Sequence, residues 1–212
     1  VGQVESPQQR TSSIQRLSEL VDPSSIDLGG RTSPEGAVTI LFSDIEGSTE
    51  MVERLGDEEW VRVLRVHNDL VRKALARNGG VEVKAQGDGF MLAFMSSRAA
   101  LRCAVEMQQS LEHHGSEHEG DRVRVRIGLH AGFMIQEGPD YFGRNVILAA
   151  RIADRARGGE VLVSAPLKEF VETAGGAAFL EPQELALKGL AGTHRVYPVD
   201  WRSAAWGATA SS

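Results

Sequence analysis

Cysteine is nearly absent from this chain. Cys103 is the only one, so no disulfide can close within one molecule and a reducing compartment is expected. It sits inside an apolar helical pattern, the setting of a small buried hydrophobe. Long apolar runs are missing too, none approaching the roughly 20 residues that a membrane-spanning helix requires. The N-terminus lacks the basic-then-apolar order of a signal peptide. The expectation is a soluble, cytoplasmic stretch without membrane contact of its own, any anchor lying in a part of a longer protein not present here. An excess of positive charge is also lacking: 23 Lys and Arg stand against 29 Asp and Glu, for a net charge of −6. The basic residues are scattered, which excludes the electrostatic footprint of a duplex-binding protein. Nucleic acid is not an expected partner.

The 212 residues, 42% hydrophobic and 25% charged, suit one domain with a sizeable core. The chain opens at Val1 in a polar stretch, as a piece of a longer protein would. Residues 1–36 are rich in Ser, Gln, Pro and Gly and end in the breaker run Gly29, Gly30, Arg31, Thr32, Ser33, Pro34, so they read as a linker. Within it Ile14, Leu17, Leu20 and Val21 recur at helical spacing, which predicts one short amphipathic helix, either a connector or a frayed terminal turn. The globular domain is expected over 37–200, and the small, polar 201–212 as a disordered tail.

Inside the domain, Ala37 to Phe42 reads as an apolar strand, followed by a polar helix start at Gly47, Ser48 and Thr49. Trp60, Val61, Leu64, Leu70, Val71 and Leu75 mark a helical face that stops at Gly79 and Gly80. Residues 81–86 and 90–95 form a hairpin around Gly87, Asp88, Gly89, and a helix follows at 98–113. Residues 122–130 alternate as a strand with one buried face, a further short strand reaches Gln136, and a helix covers 143–156. A strand at 160–164, a short helix near 166–173 and a strand pair near 184–188 and 194–199 complete the chain. This order predicts an α/β (α+β) ferredoxin-like βαββαβ sandwich with C-terminal strand and helix additions. No internal repeat is present.

Two segments carry chemistry. Asp44 closes the first strand and precedes a glycine-containing turn into a helix, which places an oxygen ligand for a hard cation beside free backbone N–H groups. On local grounds the same Asp44 serves equally as a helix cap. Asp88 lies in an Asp-Gly turn, an ordinary dipeptide taken alone. The pairing matters more: in a ferredoxin-like sheet this strand and this hairpin are neighbours, so the two carboxylates face each other. Like charges so placed are costly unless cations offset them, and two cations suit displacement at phosphorus.

The blocks Phe42-Ser-Asp-Ile-Glu-Gly-Ser-Thr49, Lys84-Ala-Gln-Gly-Asp-Gly89, Arg126-Ile-Gly-Leu-His-Ala-Gly132, and Asp140-Tyr-Phe-Gly143 with Ala149-Ala-Arg151, in that order, resemble those of class III nucleotidyl cyclase catalytic domains of bacterial type. The resemblance spans roughly 37–200. It implies an adenylyl cyclase, a homodimer that closes ATP into cyclic AMP with two Mg²⁺ or Mn²⁺ ions per site. Asp44, Asp88 and the Ile45 carbonyl would hold metal, and Phe42, Gly47, Ser48 and Thr49 would meet the substrate. Lys84 and Asp140 would read the base: a donor-only lysine and an acceptor-only aspartate fit adenine and clash with guanine. Arg151 would offset charge in the transition state, and Lys188 would grip the triphosphate. In this family Lys84, Asp140, Arg151 and Lys188 act on the nucleotide held by the partner's aspartates.

One position departs from the pattern. Where the family has an asparagine that orients the ribose, four residues before the arginine, this chain has Ile147. Asn145 points to another helix face and is a poor substitute. A guanylyl or relaxed-specificity cyclase, and a weakly active regulatory homologue, remain the alternative expectations. His113, His114 and His118 read as a solvated helix end rather than a metal cluster, and His130 as a hydrogen-bonded structural histidine.

Overall fold

The computed structural model of the protein describes residues 13–20, 37–133, 140–172 and 177–204. The linker residues 1–12 and 21–36, including the breaker run, lie outside the described residues, as do 134–139 and the end of the tail from 205. The elements run α1 (Ser13–Leu20), β1 (Ala37–Ile45), α2 (Ser48–Leu55), α3 (Asp57–Arg77), β2 (Val81–Gln86), β3 (Gly89–Phe94), α4 (Ser97–Glu117), β4 (Val125–Phe133), α5 (Asp140–Arg155), β5 (Val161–Ser164), α6 (Ala165–Glu172), β6 (Ala178–Phe179), β7 (Gln183–Ala186) and β8 (Thr193–Asp200).

The strands form one sheet in the order β2-β3-β1-β4-β5-β8-β6, with β7 also paired to β8. Its first four strands are the ferredoxin-like unit: β1 lies between β3 and β4, antiparallel to both, and β2 is the outer arm of the hairpin. The α5 crossover then makes β5 parallel to β4, and the later strands extend that edge as the expected C-terminal additions.

Both faces of the sheet are covered, which explains why all nine residues of β1 are buried. Alternate residues Leu41, Ile45, Phe90, Leu92, Ile127 and Leu129 pack in one core with residues of α3 and α4. The opposite residues Val38, Ile40, Phe42, Met91 and Ala93 pack beneath α1 and α5, meeting Ile14, Leu17, Val146 and Ala149. Cys103 is buried in the first core, and burial pushes its thiol up to about 12, so it acts as a hydrophobe.

Several boundaries differ from the sequence reading, each for a local reason. Gly56, at φ +77°, separates α2 from α3. β4 runs unbroken from Val125 to Phe133 instead of dividing in two, and both of its faces are buried because α5 closes the second. α4 continues to Glu117, so His113 and His114 are helical; His114 bonds Asp121 at 3.1 Å and stacks on His118. Trp201, placed in the tail by its sequence, is 4% exposed and its Nε1–H donates to the Gly159 carbonyl.

The tightest packing is between β4 and α5. A Cβ on Gly128 would lie 2.2 Å from the backbone nitrogen of Ala153 and 2.4 Å from its Cα. Backbone atoms cannot rotate away, so Gly128→Ala must lift the helix from the sheet. A loss of about 2–3 kcal/mol is expected, read as a lower urea midpoint with an unchanged slope; a midpoint within error of the wild type would contradict this packing.

Candidate active site

The end of β1 and the tip of the β2–β3 hairpin meet because Ser43 opposes Phe90 in the ladder. The hairpin turns through Gly87 at φ +63°, a conformation that favours glycine, and Asp88 follows it at the tip. The Ile45 amide donates to Asp88 Oδ2 at 3.2 Å. Asp44 and Asp88 are 3% and 5% exposed. Burial, with the neighbouring Asp88 charge adding to it, pushes Asp44 up to about 7, against the downward pull of Arg126.

Arg126 is the residue that sequence reasoning passed over. It was part of a recognised block but had no role; the register places it directly opposite Asp44. Its Nε (3.2 Å) and Nη2 both donate to Asp44 Oδ2. An arginine between apolar strand residues was the available signal, though only the ladder register names its partner. Asp44 Oδ1 is left buried with no hydrogen-bond partner. Of the two local roles open to Asp44, capping is not adopted: α2 starts from Gly47 in the left-handed region, without a side-chain cap.

This donor set fits a hard divalent cation. It consists of oxygens, one of them orphaned, and a buried oxygen without a donor is costly unless something positive meets it. No group of three or more His, Cys, Asp or Glu arranged for a metal occurs among the described residues. The protein shell is thus incomplete, as in Mg²⁺ sites finished by substrate phosphates.

The remaining residues divide into groups. Ser48 and Thr49, in the first turn of α2, line a cavity of about 410 Å³ with Gln86, Gly87 and Asp88. Lys84 opposes Met91, so it stands on the face that α1 and α5 cover. Arg151, on α5, donates from Nε to the Lys188 carbonyl at 3.1 Å and pairs with Asp154. No hydrogen bond or ion pair among the described residues links Arg151 or Lys188 to Asp44 or Asp88. Asp140 opens α5, and its side chain lies outside the described residues. Phe42 departs from the expectation: with α1 docked, its side chain is 0% exposed within the apolar layer, so it packs the core and offers no surface to a substrate.

A family model described as the adenylate and guanylate cyclase catalytic domain matches residues 31–200. An adenylate cyclase of Mycosarcoma maydis is 36% identical over 157 residues, 62% of this chain but 6% of that protein. A Trypanosoma brucei adenylate cyclase, solved in its monomeric state, superposes with a TM-score of 0.67 at 25% identity, covering 84% of this chain and 94% of that one. An adenylate/guanylate cyclase/hydrolase from Silicibacter pomeroyi gives 0.64 at 28% identity, over 77% and 95%. The ferredoxin-like sheet, the paired acids at its strand ends and this match along most of the chain place the protein in the adenylate and guanylate cyclase catalytic-domain family. Domains of this class use divalent metal ions.

α5 also shows what became of the missing asparagine. Ile147 is 42% exposed, one turn before Arg151. Asn145 is held inward, its Oδ1 3.2 Å from His130 Nε2, while His130 Nδ1 meets Ser164 Oγ at 2.8 Å. Burial holds His130 down to about 4. A histidine whose folded pKa lies below its unfolded value contributes stability that is complete above about 6.5 and is lost as pH falls toward 4. His130→Gln removes that titration, so between pH 6.5 and 4.5 its unfolding free energy should fall less steeply than the wild type's, by roughly 1 kcal/mol per pH unit. Parallel pH profiles from chemical denaturation would refute the assignment.

Proposed function

We infer that this domain converts ATP to 3′,5′-cyclic AMP and pyrophosphate at a site shared by two copies of the chain. The observation that carries the reading is the convergence of Asp44 and Asp88, with one carboxylate oxygen of Asp44 buried and unpartnered. These two side chains would hold Mg²⁺ or Mn²⁺. When bound, the ions lower the pKa of the ribose 3′-hydroxyl and offset the triphosphate charge. The 3′-hydroxyl gives up its proton to solvent as its oxygen bonds to the α-phosphorus, the bond from that phosphorus to the bridging oxygen breaks, and pyrophosphate leaves with the electron pair.

The chain's own groups position and neutralise, which is where most of the catalysis of such a displacement lies. Lys84 donates to ring nitrogen 1 of adenine and Asp140 accepts from its exocyclic amine. Guanine reverses both patterns and meets donor with donor and acceptor with acceptor, so ATP is the favoured substrate. Arg151 balances charge gathering on the α-phosphate, and Lys188 holds the outer phosphates. The contact of Arg151 with the Lys188 backbone supports their acting as a unit.

A slow variant of the same reaction has one specific observation in its favour. Ile147 offers no hydrogen bond to a ribose and Asn145 is engaged with His130, so ribose placement rests on weaker contacts.

Three measurements test the reading. Cyclic nucleotide formation with Mn²⁺ should be at least tenfold faster from ATP than from GTP, one reversed hydrogen-bond pattern being worth at least about 1.4 kcal/mol; it should vanish in Asp44→Ala. Equal rates would defeat the assigned base reading, and activity surviving Asp44→Ala would defeat the metal site. Mixing inactive Asp44→Ala and Arg151→Ala chains should restore activity, since each heterodimer regains one intact site; no recovery after confirmed exchange excludes sharing. Ile147→Asn should raise kcat several-fold, and an unchanged rate means another group orients the ribose.

A further inference from the structure

The N-terminal helix α1 has no part in the reaction just described, yet it sits against the metal-binding acids. Ser13 Oγ donates to Asp88 Oδ1 at 2.9 Å. Since the Ile45 amide already occupies Oδ2, both oxygens of Asp88 are engaged. Ser13 and Arg16 also line the 410 Å³ cavity that holds Ser48, Thr49 and Asp88. The fit is close: a Cβ on Gly89, the residue after Asp88, would lie 2.9 Å from both Leu17 Cδ1 and Ser13 Cβ.

What holds α1 there is a small apolar contact. Ile14 and Leu17 are each 0% exposed, seated on Phe42 and Met91 of the sheet and Val146 and Ala149 of α5. The burial of two such side chains is opposed by the entropy of ordering an eight-residue helix. Net retention is therefore weak enough to be overcome by ligand binding. The face that α1 covers is also the one that bears Asp44, Lys84 and Arg126, as the β1, β3 and β4 register requires.

We propose that α1 is an autoinhibitory plug: docked, it occupies Asp88 and the sheet face beside it, and divalent cation binding requires its release. This rests on the reading of Asp88 as a metal ligand. The cation and the Ser13 hydroxyl compete for one carboxylate oxygen, so each weakens the other by the same factor. Whatever draws α1 away, such as a conformational change in a preceding segment, opens the site.

The test uses the full chain and Mn²⁺ alone, followed by electron paramagnetic resonance of the free ion. Ser13→Ala keeps every apolar contact and removes the competing hydroxyl; Leu17→Gln loosens the helix as a whole. Mn²⁺ affinity should rise about threefold or more in Ser13→Ala and about tenfold in Leu17→Gln. Saturating Mn²⁺ should speed amide hydrogen exchange across 13–20 in the unmodified chain, a readout that stands even where Leu17→Gln fails to fold. Unchanged or weaker Mn²⁺ binding in Ser13→Ala, or exchange in α1 unaffected by the ion, overturns the plug and leaves the metal site standing. Mn²⁺ binding undetectable in every form, and equally so in Asp88→Asn, removes the metal site and the plug together.

Discussion

The antiparallel pairing of β1 with β3 is the constraint on which the rest depends. It joins strands that are not consecutive in the chain, and its last pair, Ser43 with Phe90, stands one residue before Asp44 in one strand and two after Asp88 in the other. The burial of every β1 residue leaves no freedom to slip, because a shift by one position would turn each apolar side chain to the wrong face. The proximity of Asp44 and Asp88 is thus maintained by the whole apolar sheet. That support is needed, since two buried like charges repel; Arg126 meets Asp44, and the Ile45 amide and the Ser13 hydroxyl meet Asp88. Asp44, pushed up to about 7 by burial and the Asp88 charge, shows how costly an ionised carboxylate is there.

Much of this was legible in the sequence. The apolar run at Ala37, the glycines after Arg77 and the tight turn at Asp88 each encode local geometry, so the ferredoxin-like order followed from short-range rules. The proximity of Asp44 and Asp88 followed from that order alone. What local rules could not supply was anything set by register or by a second layer. β4 alternates like a half-exposed strand, yet α5 buries its other face. Arg126 looked like one of several charged residues on that strand until the pairing with Asp44 gave it a partner. Phe42 stands in a recognised block and on the same face as Asp44, but one step further into the sheet, where α1 and α5 enclose it in the apolar layer. The contact of Ser13 with Asp88 joins residues 75 positions apart, which no pattern within either segment could announce.

The two sides of the sheet divide the labour. The core beneath α3 and α4 is built from large apolar side chains and fixes the strands. The other side carries alanines along α5, the Asn145–His130–Ser164 chain and the short α1. It is also where the acids, Lys84 and Arg126 emerge. An eight-residue helix is short beside the 21-residue α3 and α4, and this is the side on which the proposed shared site would lie.

Where Gly128 meets Ala153 there is no side chain between strand and helix to deform. Interposed side chains cushion relative motion by changing rotamer; bare backbone against backbone does not. Any tilt of α5 is therefore passed rigidly to β4, and two positions along that strand stands the guanidinium that steadies Asp44. The helix bearing Arg151 and the strand bearing Arg126 are thereby coupled as one lever, and the two arginines keep a fixed spacing.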